Sequence, residues 1–396
     1  MDKVPLSLEQ WKALRAIASG KLRKIVAEDI GLLYTTVGGV GSSILGALFW
    51  LILASIFSVD NYGLVNYYIA LAQILAGVGL IGLNTTVTAY LAKGETELLY
   101  ETNSIILISG LVCALILSAF HWAAGLLSAT LVFFTMAQAE ILGKKAYKEY
   151  AFALIGQRIA QISLSLVLYF PLGLTGIVLG YFAGALIFSY RYFISLKNFT
   201  LKLTSIREKR NFALHSYGYN LLGKTLSNYI DKVIIGILFG YYDLGLYQLC
   251  FQFFMFLDMI PVSLQQYLLP EESSGNNKQK IKIIALILAV AAFLFLFTLS
   301  PYLISTLFPS FTEAVPMVRL ISLSVIPSTI VAMLTASFLG NENSKIVFSS
   351  SIIYLTSLLV CLVVLGLTVG VLGLSLAIVF GKTIQAIFLL LKRNTV

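Results

Sequence analysis

The sequence predicts an all-α polytopic membrane protein with about twelve transmembrane helices in two similar six-helix lobes. Three observations support this prediction. Hydrophobic residues make up 59% of the 396 residues and charged residues only 11%, whereas a soluble domain carries about 25% charged residues. Apolar runs of membrane-spanning length follow one another along most of the chain. A short turn between two such runs also occurs twice, at residues 57–64 and 239–246.

The apolar runs define the predicted helices in chain order. Most of them reach the roughly 20 residues that a helix needs to cross a bilayer. They cover residues 30–57, 63–92, 103–120, 123–142, 151–170, 172–194, 212–239, 243–270, 281–299, 316–339, 346–367 and 371–391. The chain therefore divides into an N-lobe (residues 30–194, TM1–6), a basic cytoplasmic linker (residues 195–211) and a C-lobe (residues 212–396, TM7–12).

Residues 1–29 are predicted to form a cytoplasmic amphipathic segment ahead of the N-lobe. Leu8, Trp11, Leu14 and Ile17 recur there at helical spacing, which is typical of a helix that lies in the plane of the membrane surface. A partner-binding arm is the alternative interpretation. The segment lacks the short apolar core of a signal peptide.

The basic residues predict the orientation in the membrane. The outward loops hold Asp60, Asp243 and Glu313 and no Lys or Arg. The cations lie on the other side, which is the positive-inside pattern and predicts that both termini are cytoplasmic, in a cell membrane. The net charge of +9 then belongs to one membrane face, and we expect it to fix orientation rather than to bind nucleic acid.

The sequence offers little for catalysis. The three cysteines, Cys113, Cys250 and Cys361, all lie inside apolar runs, and the chain has only two histidines, so we expect no metal site, no disulfide and no cofactor. Residues 218–225 match the P-loop pattern formally, but a P-loop requires a preceding strand and a soluble sheet. No loop is long enough to form a catalytic domain, and we expect that the protein is not an enzyme.

Charged side chains inside the apolar runs are the strongest functional signal. An ionised side chain at mid-bilayer costs at least about 2.5–3.5 kcal/mol, so it survives mainly where it faces protein or a wet cavity. Lys224 and Lys382 lie deep, which favours a cavity role, whereas snorkelling to the membrane surface is an alternative for the other three cations. The five predicted substrate-binding cations are Arg158, Lys224, Lys232, Arg319 and Lys382.

Neutral polar residues accompany these charges. Asn220, Lys224, Ser227 and Asp231 follow one another at helical steps, and Arg158 shares a helix face with Gln161. A shift of 182 residues places Asn66 onto Gln248 and Asn84 onto Gln266, but it places Lys224 onto Ser42 and Asp231 onto Phe49. The sequence therefore predicts that the two lobes face each other with similar polar surfaces, and that more of the charge lies on the C-lobe. The predicted polar lining is Asn220, Ser227, Gln161, Asn66, Gln73, Asn84, Gln248, Gln252 and Gln266.

Three acids within the apolar runs are candidates for coupling transport to H⁺ or Na⁺. Asp258 is the deepest and precedes Pro261. Asp231 has Lys224 and Lys232 nearby, so a structural ion pair is the alternative for it, and Glu140 lies near the inner end of its run.

The duplicated turns and the residues before the second one resemble a known family. Asp60 to Leu64 forms an Asp-x-x-Gly-Leu turn, and Tyr229-Ile230-Asp231-Lys232 leads to Gly240 and to Asp243-Leu244-Gly245-Leu246-Tyr247. These short motifs are similar to those of the Wzx-type polysaccharide-transporter flippases, of the PST family in the MOP superfamily. That superfamily also contains the MATE drug exporters and the lipid II flippase MurJ.

The resemblance implies a V-shaped bundle with a central cavity and alternating access. It implies movement of a polyprenyl-(pyro)phosphate-linked oligosaccharide from the inner to the outer leaflet, with the five cations acting on the anionic part of the substrate. Membrane lipids, H⁺ or Na⁺, glycosyltransferases and a glycan polymerase are the partners that it suggests. An ion-coupled MATE-like exporter of small organic molecules is the alternative, although a lysine-bearing cavity favours it less.

Overall fold

A computed structural model describes the backbone of residues 8–198, 200, 202–274, 278–341 and 343–393. Side chains are described from residue 30 onward, except those of residues 32, 224 and 270 within helices. Across these described residues the chain is helical and contains no strand, as predicted.

Eight helices form the N-lobe. The first helix has no break between the predicted surface segment and the first predicted span, so the structure has one helix where the sequence predicted two. The second predicted span is broken at Gly82, and the sixth bends by 50°. The helices are α1 (Leu8–Ile56), α2 (Val59–Gly79), α3 (Leu83–Leu91), α4 (Thr96–Ser118), α5 (Trp122–Gly143), α6 (Tyr147–Leu172), α7 (Leu174–Ile187) and α8 (Tyr190–Ser195).

Nine helices form the linker and the C-lobe. A π-helical turn, Leu221–Leu226, joins α10 to α11 without a break in the helix, and such turns are frequent at functional sites. The helices are α9 (Thr204–Glu208), α10 (Arg210–Asn220), α11 (Ser227–Leu238), α12 (Tyr241–Ser273), α13 (Gln279–Leu307), α14 (Val315–Ser322), α15 (Val325–Gly340), α16 (Ser344–Val369) and α17 (Val371–Arg393).

The length and composition of these helices make this a multi-pass membrane protein. Among the described residues, ten helical stretches are long and apolar enough to cross a bilayer, and the bent pair α7–α8 raises the number to eleven. The remaining predicted span is the α10–π–α11 helix, which carries Lys224, Asp231 and Lys232. Each of the twelve predicted spans therefore corresponds to helix in the structure.

The two copies of the duplicated turn contact each other. A Cβ on Gly63 of α2 would stand 1.9 Å from the carbonyl oxygen of Tyr241, and a Cβ on Gly245 of α12 would stand 2.1 Å from that of Val59. Val59 and Tyr241 are also 182 residues apart. The contact is therefore reciprocal, as a local two-fold axis requires, and only glycine permits so close an approach. We call this end of the bundle the turn end.

The opposite end, which we call the linker end, is held by a carboxylate. Glu101 of α4 is buried and accepts hydrogen bonds from the hydroxyls of Thr204 and Ser205, both at 3.0 Å. It also accepts from the backbone N–H groups of Ser205 and Ile206, at 3.2 and 3.0 Å. These residues form the first turn of α9, whose free N–H groups favour a negative charge. The linker is therefore attached to the N-lobe.

Candidate functional site

A cavity of about 970 Å³ lies between the two lobes. The N-lobe lines it with residues of α1, α2, α6 and α7, and the C-lobe lines it with residues of α11 and α12. Gln248 and Gln266, near its two ends, both lie on α12. At about 1.5 Å per residue, roughly 27 Å of helix separates them. The cavity thus extends over a large part of the ~30 Å thickness of a bilayer.

Arg158 supplies the positive charge of the N-lobe wall. It lies on α6, about 16 Å along the helix from Tyr147, so it is not at a helix end. Its Nη1 donates to Gln161 Oε1 at 2.9 Å and lies 3.5 Å from the hydroxyl of Tyr181. Its Nε lies 3.4 Å from Ser42 Oγ. All three partners are neutral, and among the described residues Arg158 forms no ion pair.

A small network keeps the Arg158 guanidinium in place. Gln161 is fully buried and also accepts from Gln157 Nε2 at 3.1 Å. The hydroxyl of Tyr181 accepts from Gln73 Nε2 at 3.0 Å. Because Gln73 lies on α2, Arg158 on α6 and Tyr181 on α7, the network joins three helices of the N-lobe in the cavity wall.

Lys232 supplies the positive charge of the C-lobe wall, but that charge is compensated. Its Nζ lies 3.3 Å from Asp231 Oδ1, donates to the carbonyl oxygen of Asn228 at 2.6 Å and lies 3.9 Å from the centre of the Phe251 ring. Asp231 in turn accepts from the hydroxyl of Tyr247 at 2.6 Å. The Asp231 and Lys232 side chains are 1% and 5% exposed. The structural ion pair that was an alternative for Asp231 is therefore the arrangement observed.

Several of the predicted carboxamides border the same cavity. Asn66 and Gln248, which are related by the repeat, are each 3% exposed. Asn66 donates its Nδ2 to the carbonyl oxygen of Tyr62 at 2.9 Å, whereas Gln248 Oε1 has no hydrogen-bond partner. The predicted carboxamides that line the cavity are Asn66, Gln73, Gln248, Gln252 and Gln266.

The three candidate coupling acids occupy different environments. Asp258 on α12 borders the cavity and forms no ion pair with the described residues. Asp231 is paired with Lys232, and Glu140 at the linker end of α5 is paired with Lys144 at 2.5 Å. Of the three, Asp258 is therefore the one whose carboxylate is available to the cavity.

Two further predicted cations, Arg319 and Lys382, lie outside the cavity wall. Arg319 donates its Nε to the carbonyl oxygen of Phe297 at 3.1 Å, and its guanidinium lies 5.2 Å from that ring. Lys382 Nζ lies 4.5 Å from the centre of the Tyr354 ring. Neither residue is among those that line the cavity. The side chain of Lys224 lies outside the described residues, although its backbone is part of the π-helical turn.

Three predicted polar residues, Asn84, Asn220 and Ser227, are not among those that line the cavity. Asn220 donates its Nδ2 to Thr85 Oγ1 at 2.8 Å and lies 3.4 Å from Asn84 Oδ1, so these residues join the two lobes. Ser227 donates to the carbonyl oxygen of Leu222 at 2.8 Å. Asn84 and Asn220 therefore hold the two lobes together, whereas the Ser227 contact lies within its own helix.

Aromatic residues of the cavity wall were not predicted. Trp50, Tyr181, Tyr229 and Phe251 all line it. The repeat held a signal for one of them, since the 182-residue shift places Trp50 onto Lys232. Nothing in the sequence distinguishes the other three from aromatic residues that face lipid or the helix interior.

No protein-family model matches this sequence, and neither does any curated protein. Solved structures do match the fold. A structure of the lipid II flippase MurJ in an inward closed conformation has a TM-score of 0.71 and 14% sequence identity, over 91% of this chain and 87% of that chain. An inward-facing multidrug resistance MATE family transporter of the MOP superfamily has a TM-score of 0.67 and 13% identity, over 89% and 94%.

A third structure comes from a transporter of the same superfamily in Pyrococcus furiosus, for which a binding pocket of reverse polarity suggests a different function. It has a TM-score of 0.54 and 13% identity, and it covers 92% of this chain and 94% of that chain. At these identities the likeness concerns the fold. The chain has the fold that MurJ and the MATE transporters of the MOP superfamily share.

Proposed function

We propose that the protein is a flippase of the MOP superfamily that moves a polyprenyl-(pyro)phosphate-linked oligosaccharide from the inner to the outer leaflet of a cell membrane. Such a step would serve the assembly of a surface polysaccharide or a cell-envelope glycan. The observation that carries the proposal is the Arg158 guanidinium. It lines a cavity between two lobes and has only neutral partners among the described residues.

An uncompensated guanidinium in such a place favours an anionic ligand. Its planar set of N–H donors matches phosphate oxygens, and a low-dielectric wall strengthens the attraction. The hydrogen bonds to Ser42, Gln161 and Tyr181 fix its direction without neutralising it. Lys232 would contribute less, because its charge is already compensated by Asp231.

The size of the cavity supports a substrate that is only partly enclosed. A volume of about 970 Å³ is at the upper end of the ~300–1,000 Å³ of small-molecule sites. It can hold a diphosphate and attached sugars but not a long prenyl chain. Gly39 of α1 lines the cavity and has no atom within 4 Å of the position of a Cβ. We infer that the prenyl chain remains in the bilayer beside α1 while the polar part occupies the cavity.

The contacts at the two ends of the bundle support alternating access. The positive-inside pattern predicts that the turn end lies outside and that the linker and both termini lie in the cytoplasm. The crossing at Gly63 and Gly245 brings the lobes together at the turn end. Release to the outer leaflet would require the crossing to separate, while the linker stays attached to the N-lobe through Glu101.

The purified protein in proteoliposomes provides the test. The probe is undecaprenyl diphosphate that carries one N-acetylglucosamine, and a membrane-impermeant galactosyltransferase labels the sugar only in the exposed leaflet. We expect the wild type to make the inner-leaflet probe accessible over time and Arg158→Gln to abolish this. Arg319→Gln, which removes a cation outside the cavity, is the matched control. Wild-type labelling by Arg158→Gln would contradict the proposal.

A MATE-like exporter of small organic molecules is the second candidate. Asp258 favours it, because this carboxylate borders the cavity without an ion pair among the described residues and could bind an organic cation or a coupling ion. Uptake of ethidium into proteoliposomes separates the candidates. Ethidium transport that Asp258→Asn abolishes and Arg158→Gln leaves intact would favour export.

A further inference from the structure

We propose that Gln248 forms a separate subsite in the cavity for the neutral, hydroxyl-bearing part of the substrate, apart from the anion contact at Arg158. This inference rests on the proposed function, and it assigns different parts of the substrate to the two lobes. The N-lobe wall binds the phosphate, and the C-lobe wall recognises a group that donates a hydrogen bond, such as a sugar hydroxyl or acetamido N–H.

The first argument is the unsatisfied oxygen of Gln248. The residue is 3% exposed and borders the cavity, and its Oε1 has no hydrogen-bond partner. A buried acceptor without a partner costs about 1–3 kcal/mol. A donor on a bound ligand would remove this cost after a small rotation of the side chain.

The second argument is the contrast with Asn66, the residue that the repeat relates to Gln248. Asn66 is equally buried in the same cavity wall, but its amide donates to the carbonyl oxygen of Tyr62. Asn66 thus has a structural contact within its own helix. Among the described residues, Gln248 makes no side-chain hydrogen bond of this kind, which leaves its carboxamide to a ligand.

The third argument is the chemistry of the other residues that border the cavity on the same helix and on α1. Gln252 lies one turn further along α12, is buried and also borders the cavity. Phe251, between them in sequence, and Trp50 of α1 contribute aromatic faces. Carboxamides beside aromatic rings suit a ligand with hydroxyl groups and apolar C–H faces, because the amide can both donate and accept while the ring packs against carbon. The phosphate groups would not bind to Gln248 Oε1, because both are hydrogen-bond acceptors.

The test compares two probes in detergent, by thermophoresis of the full-length protein. One probe is undecaprenyl diphosphate, and the other is the same lipid with one N-acetylglucosamine. We expect the wild type to bind the glycosylated probe about fivefold more tightly, as one or two added hydrogen bonds imply. Gln248→Met should bind both probes equally, with unchanged affinity for undecaprenyl diphosphate.

Two controls distinguish a variant that is unfolded from one that has lost only the contact between Gln248 and the sugar. Removal of an unsatisfied buried oxygen does not destabilise a fold, so Gln248→Met should melt at or above the wild-type temperature. Gln385 is buried, has an unpartnered Oε1 and does not line the cavity, so Gln385→Met should retain the wild-type preference for the sugar.

The outcomes separate the two proposals. An equal preference for the sugar in the wild type and in Gln248→Met overturns the subsite, while the binding of undecaprenyl diphosphate through Arg158 still stands. Failure of the wild type to bind either probe overturns the proposed function, and the subsite with it.

Discussion

The same two positions of the repeat are filled by aromatic side chains in one lobe and by an ion pair in the other. Phe49 and Trp50 on α1 correspond to Asp231 and Lys232 on α11. Phe49 is fully buried and Trp50 lines the cavity, while Asp231 is 1% exposed and Lys232 lines the cavity. In each lobe, therefore, the first of the two residues is buried in the protein and the second borders the cavity.

The difference shows that buried charge and available charge are separate properties. The C-lobe has the ion pair, but Asp231, Tyr247 and the carbonyl oxygen of Asn228 satisfy it internally. The N-lobe has no charge at the repeat positions, yet Arg158 presents an uncompensated guanidinium. Among the described side chains, the positive charge that is available to the cavity is thus on the lobe where the sequence predicted less charge.

Breaking the C-lobe ion pair should have the largest effect on stability. Lys232→Met leaves Asp231 buried without its cation, and removal of one partner of a buried pair costs about 3–5 kcal/mol. The double variant Asp231→Asn, Lys232→Met leaves no charge and should recover most of the loss. Thermal melting in detergent measures both. A double variant that melts no higher than Lys232→Met would show that the unpaired carboxylate is not the source of the loss.

The crossing at the turn end should respond symmetrically to substitution. Gly63→Ala and Gly245→Ala each place a Cβ about 2 Å from a carbonyl oxygen of the other lobe, and such overpacking typically costs about 1–3 kcal/mol. We expect equal decreases in melting temperature. Gly218→Ala, at a helical glycine with open space around it, is the control. A decrease for only one of the two variants would refute the reciprocal contact.

The attachment of the linker to the N-lobe should depend on the charge of Glu101. Glu101→Gln keeps the shape but weakens the four hydrogen bonds to residues 204–206, at a cost of about 1.5 kcal/mol. Limited proteolysis should then cut the linker faster. Glu97→Gln, at an exposed position of the same helix, should leave the rate unchanged, and equal rates for the two variants would argue against the attachment.

A small pH effect is expected at His121, between α4 and α5. Its ring stacks on Tyr68 at 4.0 Å and its Nδ1 accepts from the Ala124 N–H at 3.2 Å. Burial lowers the pKa of His121 below the usual value of about 6.5. The folded state thus favours the neutral ring, so stability is complete above pH 6.5 and decreases as the pH falls from there towards the lowered pKa.

Comparison with His121→Asn, which keeps a helix-capping side chain that does not titrate, measures this effect. Between pH 7.5 and 5.5 the melting temperature of the wild type should fall more than that of His121→Asn. Parallel curves would show that His121 does not contribute to the pH dependence.

The sequence predicted the parts of this architecture that depend on local pattern. Apolar runs predicted the helices. The duplicated turn identified the residues that contact each other at Gly63 and Gly245, whereas the bounds of the two lobes and of the linker stay a prediction. It did not predict which polar groups meet. Arg158 and Ser42 are 116 residues apart, and Glu101 and Ile206 are 105 apart. Periodicity within one helix contains no information about such partners.

The central claim is that Arg158 contacts the anionic part of the substrate, and a thermodynamic cycle tests it most directly. Wild type and Arg158→Gln are each titrated with undecaprenyl diphosphate and with uncharged undecaprenol. We predict that the substitution weakens diphosphate binding at least tenfold and leaves undecaprenol binding unchanged, as expected for a charge-assisted contact. An equal loss for both ligands, or no loss for the diphosphate, would contradict the claim.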